Sequence, residues 1–397
     1  MLWEPTREAA LARLATFVPH AGRDYASGRN IDRGPLDRSN VSALSPYIRR
    51  RMITEEEVVR AVLKQHSFAA AEKFVQEVAW RTYWKGWLEM RPDMLARYET
   101  ELAVADAGLA DNSALNRRYQ KAAEGRSGID CFDVWVDELL THGWLHNHAR
   151  MWFASIWIFT LGLPWQLGAD FFDRYLLDAD PASNTLSWRW VAGLHTRGKH
   201  YVARAENIEA NTLGRFNPVG QLNENALPLP EDAAAPLPMM PQLDSPKFDK
   251  RVALILTKED LHPESWTIDA EVVAIAVLPS AKRTDDNSPA AAFASGAMED
   301  AADRAQAYFG LAVETLNTGN ITAWAKGHHV RQLVTAYPPA GSSAHQIAHA
   351  ERALKHEGIE LARLTRDWDR KLWPLATAGF FKLKTKLPDI AKEYAQK

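Results

Sequence analysis

Cysteine is all but absent from this 397-residue sequence. The single Cys131 excludes an intramolecular disulfide and any site built from two or more protein thiolates, cysteine-ligated iron–sulfur clusters included. Long apolar runs are scarce as well. Met1–Pro19 carries Glu4, Arg7, Glu8 and Arg13 through its middle and lacks the apolar stretch of a signal peptide, so a cytoplasmic location is expected. Met151–Ala169 holds no charge, but Gly162-Leu163-Pro164 interrupts it, which predicts a buried core helix and a turn rather than a membrane span. An excess of either charge is also missing. Residues 1–220 carry 27 lysines and arginines against 27 acids, within a net charge of −3, which excludes a basic nucleic-acid coat. A local basic face remains open: between Arg23 and Arg51 stand seven arginines against Asp24, Asp32 and Asp37. That run reads either as a phosphate-facing patch or as a solvated loop and helix end. Dinucleotide, P-loop, serine-hydrolase and zinc-protease fingerprints are absent. His142 and His146 share an i,i+4 spacing but have no cysteine partner, and no metal is expected.

Tryptophan, in contrast, is abundant: 15 residues, 11 of them before position 200. A buried indole N–H needs a partner, so this concentration calls for an explanation. Prolines 218, 228, 230, 236, 238, 241 and 246 mark residues 218–249 as a semi-rigid linker. Before it, in residues 1–217, the periodicity predicts helices over Thr54–His66 (with a Thr54/Glu57 capping box), Ala69–Met90, Phe132–His142, Asn147–Leu161 and Leu167–Leu177. After it, in residues 250–397, short aliphatic runs predict strands over Val252–Thr257, Glu271–Leu278, Val313–Leu316, Val330–Ala336 and Glu360–Leu364, with helices between the later ones. Such alternation implies a Rossmann-like α/β domain with a mostly parallel sheet. Pro338–Gly341 falls just beyond a strand end, where open α/β sheets place ligand crevices or plain connecting loops.

The densest local signals are Gly143–Met151 (GWLHNHARM) and Asp178–Trp190 (DADPASNTLSWRW). Together they set Arg150, two aspartates and two asparagines among indoles. A carboxylate in apolar surroundings must be paired or hydrogen-bonded. Arg150 and Asp178 therefore serve equally as a structural ion pair or as part of a cage for a polar heteroaromatic cofactor.

These stretches resemble the all-α FAD-binding domain of the photolyase/cryptochrome family, above all its short bacterial photolyase-like members. Tyr25…Arg29-Asn30 followed by Ser42–Tyr47 resembles its tyrosine and T-S-x-L-S-P-Y phosphate-binding segment, Phe74…Glu77…Trp80-Arg81 its W-x-x-E-x-x-W-R helix, and the two dense runs its G-W-M-H-N-R-x-R-M and D-x-D-x-A-x-N-x-x-x-W-x-W motifs. The resemblance implies FAD as cofactor. It places Tyr25, Ser42, Leu44, Ser45, Phe74, Arg81, Trp144, Asn147, Arg150, Asp178, Asp180 and Asn184 against the flavin dinucleotide. It makes Trp188 and Trp165 the first two hops of an electron relay. Glu77, Trp80, Asn147, Met151 and Trp190 would form the catalytic pocket, and Arg29, His148 and Arg204 would contact DNA phosphates. The implied function is light-driven repair: photoexcited reduced FAD gives an electron to a flipped-out pyrimidine dimer in UV-damaged DNA, with a monomer expected. Met151 leans this toward cyclobutane dimers, and a photosensor of the cryptochrome type is the alternative. Phe74 and Ala43 depart from the family pattern. The outer relay tryptophan is missing from Arg91–Asp130, where Tyr98 and Tyr119 are the substitutes at hand. Arg251–Leu278, with Lys258-Glu259-Asp260-Leu261, loosely resembles the family's antenna domain moved to the C-terminal side; a second chromophore stays unassigned.

Overall fold

A computed structural model describes residues 3–196, 198–230, 235–243, 246–279 and 288–396. The linker positions 231–234 and 244–245 lie outside them. The first half is helical from Arg7–Phe17 to Ala205–Asn211. Local chemistry sets the boundaries. Thr54 and Glu57 form the expected reciprocal capping box at the start of Glu55–Leu63. Ser67 caps the longest helix, Phe68–Glu89, by accepting from Ala70 N. The uncharged stretch is split as its breakers predict: Asn147–Ser155 continues as a π-turn over Ile156–Thr160, the chain reverses at Gly162 (φ 61°), and Trp165–Tyr175 begins afresh. Among the described residues no helix is long and apolar enough to cross a membrane.

Five parallel strands follow: β1 Arg251–Leu256, β2 Glu271–Val277, β3 Val313–Thr315, β4 Gln332–Ala336 and β5 Glu360–Leu364. Their order is β3-β2-β1-β4-β5, so the direction of winding reverses between β1 and β4. Beyond the carboxyl ends of those two strands an open α/β sheet has its natural crevice. Here the helical half closes it. Glu259, three residues past β1, receives Arg49 Nη1 at 2.6 Å, and Ser343, past β4, donates to the same carboxylate at 2.9 Å. Gly341 abuts Pro181 so closely that a Cβ would lie 2.7 Å from the proline ring. Ala340 N and the Tyr337 hydroxyl both donate to Glu89 of the long helix. Pro338–Gly341 is thus a docking loop.

Two features are not legible in the sequence. Arg49, Arg50 and Arg51 are neither a phosphate-facing patch nor a solvated helix end: all three are buried between the two halves. Arg51 Nη2 bonds Asp369 at 2.6 Å, and Arg50 lies over the Phe293 ring. The segment after β5 also returns to the helical half, through Asp367–Leu372, Phe381–Lys384 and Leu387–Ala395. It braces Phe68–Glu89: Trp368 Nε1 donates to Thr82 Oγ1, Tyr83 Oη donates to the Ala378 carbonyl, and Trp373 packs on Gly86.

Candidate cofactor and substrate site

Phe74, Glu77 and Arg81 share one stripe of the Phe68–Glu89 helix, because residues three and four apart stack on a helix face. Arg81 projects from it to the loop ahead of the Pro181–Ala192 helix. There it contacts Asp180 and donates to the Asp178 carbonyl at 3.0 Å, with Nη2 3.5 Å from the Asp178 carboxylate. Arg150, from the Asn147–Ser155 helix, reaches Asp178 at 3.1 Å. Burial pushes both carboxyls up, and the cations outweigh it. Arg150 and Arg81 hold Asp178 below the ordinary carboxylate range, and Arg81, Lys85 and Arg49 bring Asp180 down to about 2. Asp180 is also the N-cap of its helix: Oδ1 accepts from Ala182 N and Ser183 N, both at 3.1 Å, and Oδ2 from Ser183 Oγ at 2.6 Å.

A third element closes this cluster. Ser45, beside Asp178, accepts from Trp144 Nε1 at 3.1 Å. Ser42 and Leu44 flank Ala43, which takes left-handed backbone at φ 49°. For a residue with a Cβ this costs on the order of 1 kcal/mol and marks a turn held by its surroundings. The amide of Asn184 donates to the Ala169 carbonyl at 2.7 Å, which turns Oδ1 toward other partners. Asp178 is only 2 % exposed, and its Oδ1 lies 3.1 Å from Arg150 Nη1.

Other sequence-selected residues gather nearby or apart. Tyr25 packs edge-on against Phe74 with ring centres 5.2 Å apart. Glu77 faces Arg29 at 3.7 Å; its side chain is 39 % exposed, yet the walls around it push its carboxyl above the ordinary range, with Arg29 opposing. His146 Nε2 bonds the Arg29 carbonyl at 3.0 Å, and burial lowers its imidazole to about 4. It heads one helix while His142 ends another, with left-handed Gly143 between them, so the pair shares no face. Among the described residues no group of three potential ligands could hold a metal. His148 is half-buried beside Trp152, while Asn147 and Arg204 are exposed. Trp80 stacks on Phe380 of the C-terminal segment, centres 3.8 Å apart and 11° from parallel. Trp190 stacks on Tyr201, and Met151 is half-buried. Trp188 is buried with Nε1 unpartnered; Trp165 stacks on Tyr98 at 5.5 Å. Phe380 and Tyr201 carry no signal in the sequence, and neither the arginine run at Arg49 nor the segment at Glu259 shows that the two meet. Nothing in local spacing links positions such as 49 and 259.

Residues 74–226 match the family described as the FAD binding domain of DNA photolyase. Over this stretch the chain is similar to the FAD-binding domain of DNA photolyases. Photolyase-type relatives include a deoxyribodipyrimidine photo-lyase of Thermus thermophilus, 32% identical over 191 residues (48% of this chain, 43% of the relative). Those of Agrobacterium fabrum (30% over 195 residues; 48% and 39%) and Alkalihalophilus pseudofirmus (29% over 195; 49% and 39%) are similar. The chain therefore spans well under half the length of these photolyases. A class III photolyase structure from Agrobacterium tumefaciens is 25% identical with a TM-score of 0.41, over 53% of this chain and 43% of that one, too distant to compare detail. The residues present fit the dinucleotide of a photolyase-type domain. Two guanidiniums suit a pyrophosphate, and the Asp178 carboxylate suits the N–H groups of a reduced flavin ring.

Proposed function

We propose that this protein binds FAD between the Ser42–Ser45 turn, Arg81, Arg150 and Asp178–Asn184, and repairs cyclobutane pyrimidine dimers in DNA under blue light. The observation that carries the reading is the buried Arg81/Arg150–Asp178/Asp180 cluster inside a photolyase-type FAD-binding domain. Reduced FAD supplies, on photoexcitation, the single electron that opens the dimer's cyclobutane ring. The chain's own residues bind and position. Asp178 stays anionic because two cations face it, and it fixes Arg150 and Arg81 in turn. Glu77, whose carboxyl burial raises with Arg29 opposing, meets the pairing edge of a flipped pyrimidine. Trp80, Met151 and Trp190 offer apolar and π surface that replaces lost base stacking. Arg29, His148 and Arg204 serve the flanking phosphates.

Purified protein should be yellow with bound flavin. After reduction it should restore a dimer-containing oligonucleotide under blue light and not in darkness; flavin-replete protein that leaves the dimer intact would overturn the repair reading. No second chromophore is expected in the α/β crevice, since Arg49, Glu259, Ser343 and Pro181 fill it. A specific observation favours the sensor reading as the alternative: Phe380 covers one face of Trp80. Phe380→Ala decides between them. A repair enzyme partly covered at this ring should bind dimer-containing DNA several-fold more tightly when the phenyl is removed. A sensor should show no repair in either form.

A further inference from the structure

Trp157 reads from the sequence as core alone, but the fold places it between two other oxidisable rings. Its indole lies against Trp188 in a T-shaped pair, centres 6.3 Å apart, and against Tyr119 in another, centres 5.9 Å apart. Gly168 is what allows the first contact. A Cβ there would run into the Trp188 ring and come within 3.0 Å of Trp157 Nε1. Trp157 Nε1 donates to the Pro164 carbonyl at 2.9 Å, which fixes the ring plane. Trp188 and Trp157 are fully enclosed, and Tyr119, itself only 8 % exposed, sits on the Ser113–Ala123 helix, whose neighbouring residues Arg117, Arg118 and Gln120 are exposed. The three rings therefore run from the interior to the outermost layer.

We propose that Trp188, Trp157 and Tyr119 form an electron relay that ends on tyrosine. This rests on the flavin reading above, in which the bound cofactor is the photo-oxidant of Trp188. One electron passes from Trp157 to the oxidised Trp188 ring, and one from Tyr119 to Trp157. Tyr119 then releases its phenolic proton to water and is left as a neutral radical, which an external thiol restores with one electron and one proton. Charge placement suits this direction. Among the described residues no guanidinium or ammonium lies over the Trp157 ring, while Arg189 stands 5.8 Å from the centre of Trp165, where it opposes positive charge. Arg174, paired with Asp170 at 2.5 Å, donates to Tyr119 Oη at 3.1 Å. The phenol oxygen is thus already an acceptor, which leaves its O–H as a donor.

The test is light-induced electron paramagnetic resonance and transient absorption on the purified flavoprotein with a thiol present, flavin content being measured for every variant. Wild type should give a tyrosyl radical. Tyr119→Phe, which removes only a hydroxyl, should lose that signal and leave a shorter-lived tryptophanyl radical. Trp157→Phe with normal flavin content should photoreduce at least tenfold more slowly. A tyrosyl signal that survives Tyr119→Phe and disappears in Tyr98→Phe overturns the relay, as does normal photoreduction in Trp157→Phe. Protein that carries no flavin overturns the cofactor reading, and the relay falls with it.

Discussion

Asp180 combines two tasks in one carboxylate, capping a helix and neutralising Arg81. Asp180→Asn retains an acceptor for the cap but leaves Arg81 facing one anion instead of two. Breaking a buried pair costs about 3–5 kcal/mol; Arg81 keeps Asp178, so the lower end, about 3 kcal/mol at pH 7, is expected in urea titrations. The pH dependence has a definite sign. The folded-state value is depressed from 3.8 to about 2, so the stabilisation is complete above the unfolded value and is lost as pH falls through the folded one. The difference between wild type and Asp180→Asn should therefore shrink between about pH 4 and pH 2. A difference that stays constant over that range would sink the assignment. The residue types of this cluster were legible, because carboxylates set among indoles must be paired or hydrogen-bonded. Which arginine meets which aspartate was not, since Arg81 lies 97 positions from Asp178.

At the scale of elements, the Phe68–Glu89 helix matters most, for it carries Phe74, Glu77, Trp80 and Arg81 together. Its reverse side is held by the C-terminal segment. Gly86 shows how tightly: a Cβ there would lie 2.8 Å from the Trp373 Cα, a backbone atom that cannot swing aside. Gly→Ala inside a helix ordinarily gains about 1 kcal/mol from propensity, and overpacking costs about 1–3 kcal/mol. The clash should prevail, so Gly86→Ala is expected to destabilise the protein and to hasten proteolytic release of the segment after residue 366. A more stable variant with an unchanged digestion pattern would contradict this. The long helix itself was plain from periodicity. Its brace was not, because Asp367–Leu372 and Phe381–Lys384 are too short to show a helical period.

Across the whole molecule, the two halves meet through buried charge. Arg49 joins the Ala179 carbonyl, between the two site aspartates, to Glu259 of the α/β half. Lys85 lies buried in the same interface, its amine lowered by burial and by Arg49 and Arg51, with Asp180 and Glu259 opposing. A buried ion pair seldom adds much net stability over an apolar pair, yet removing one partner is expensive. Glu259→Gln should therefore cost about 3–5 kcal/mol and uncouple the halves, giving two unfolding transitions by tryptophan fluorescence and far-UV circular dichroism. One coincident transition at the wild-type midpoint would exclude this coupling.

The sequence by itself determined the periodic and the punctuated: five strands by their β-branched runs, the Phe68–Glu89 helix by its apolar spacing, the breaks at Gly162 and Pro164, and the ordered motifs that mark a photolyase-type FAD-binding domain. Those features depend on neighbours within a few residues, where backbone geometry links pattern to structure. Only the tertiary structure decided that the arginine triplet is buried, that the sheet's crevice is filled by the helical half, and that Phe380 covers Trp80. It also decided that Trp157 stands between Trp188 and Tyr119. Each depends on which side chains meet after the chain has folded back over tens to hundreds of residues, and no local period records that meeting.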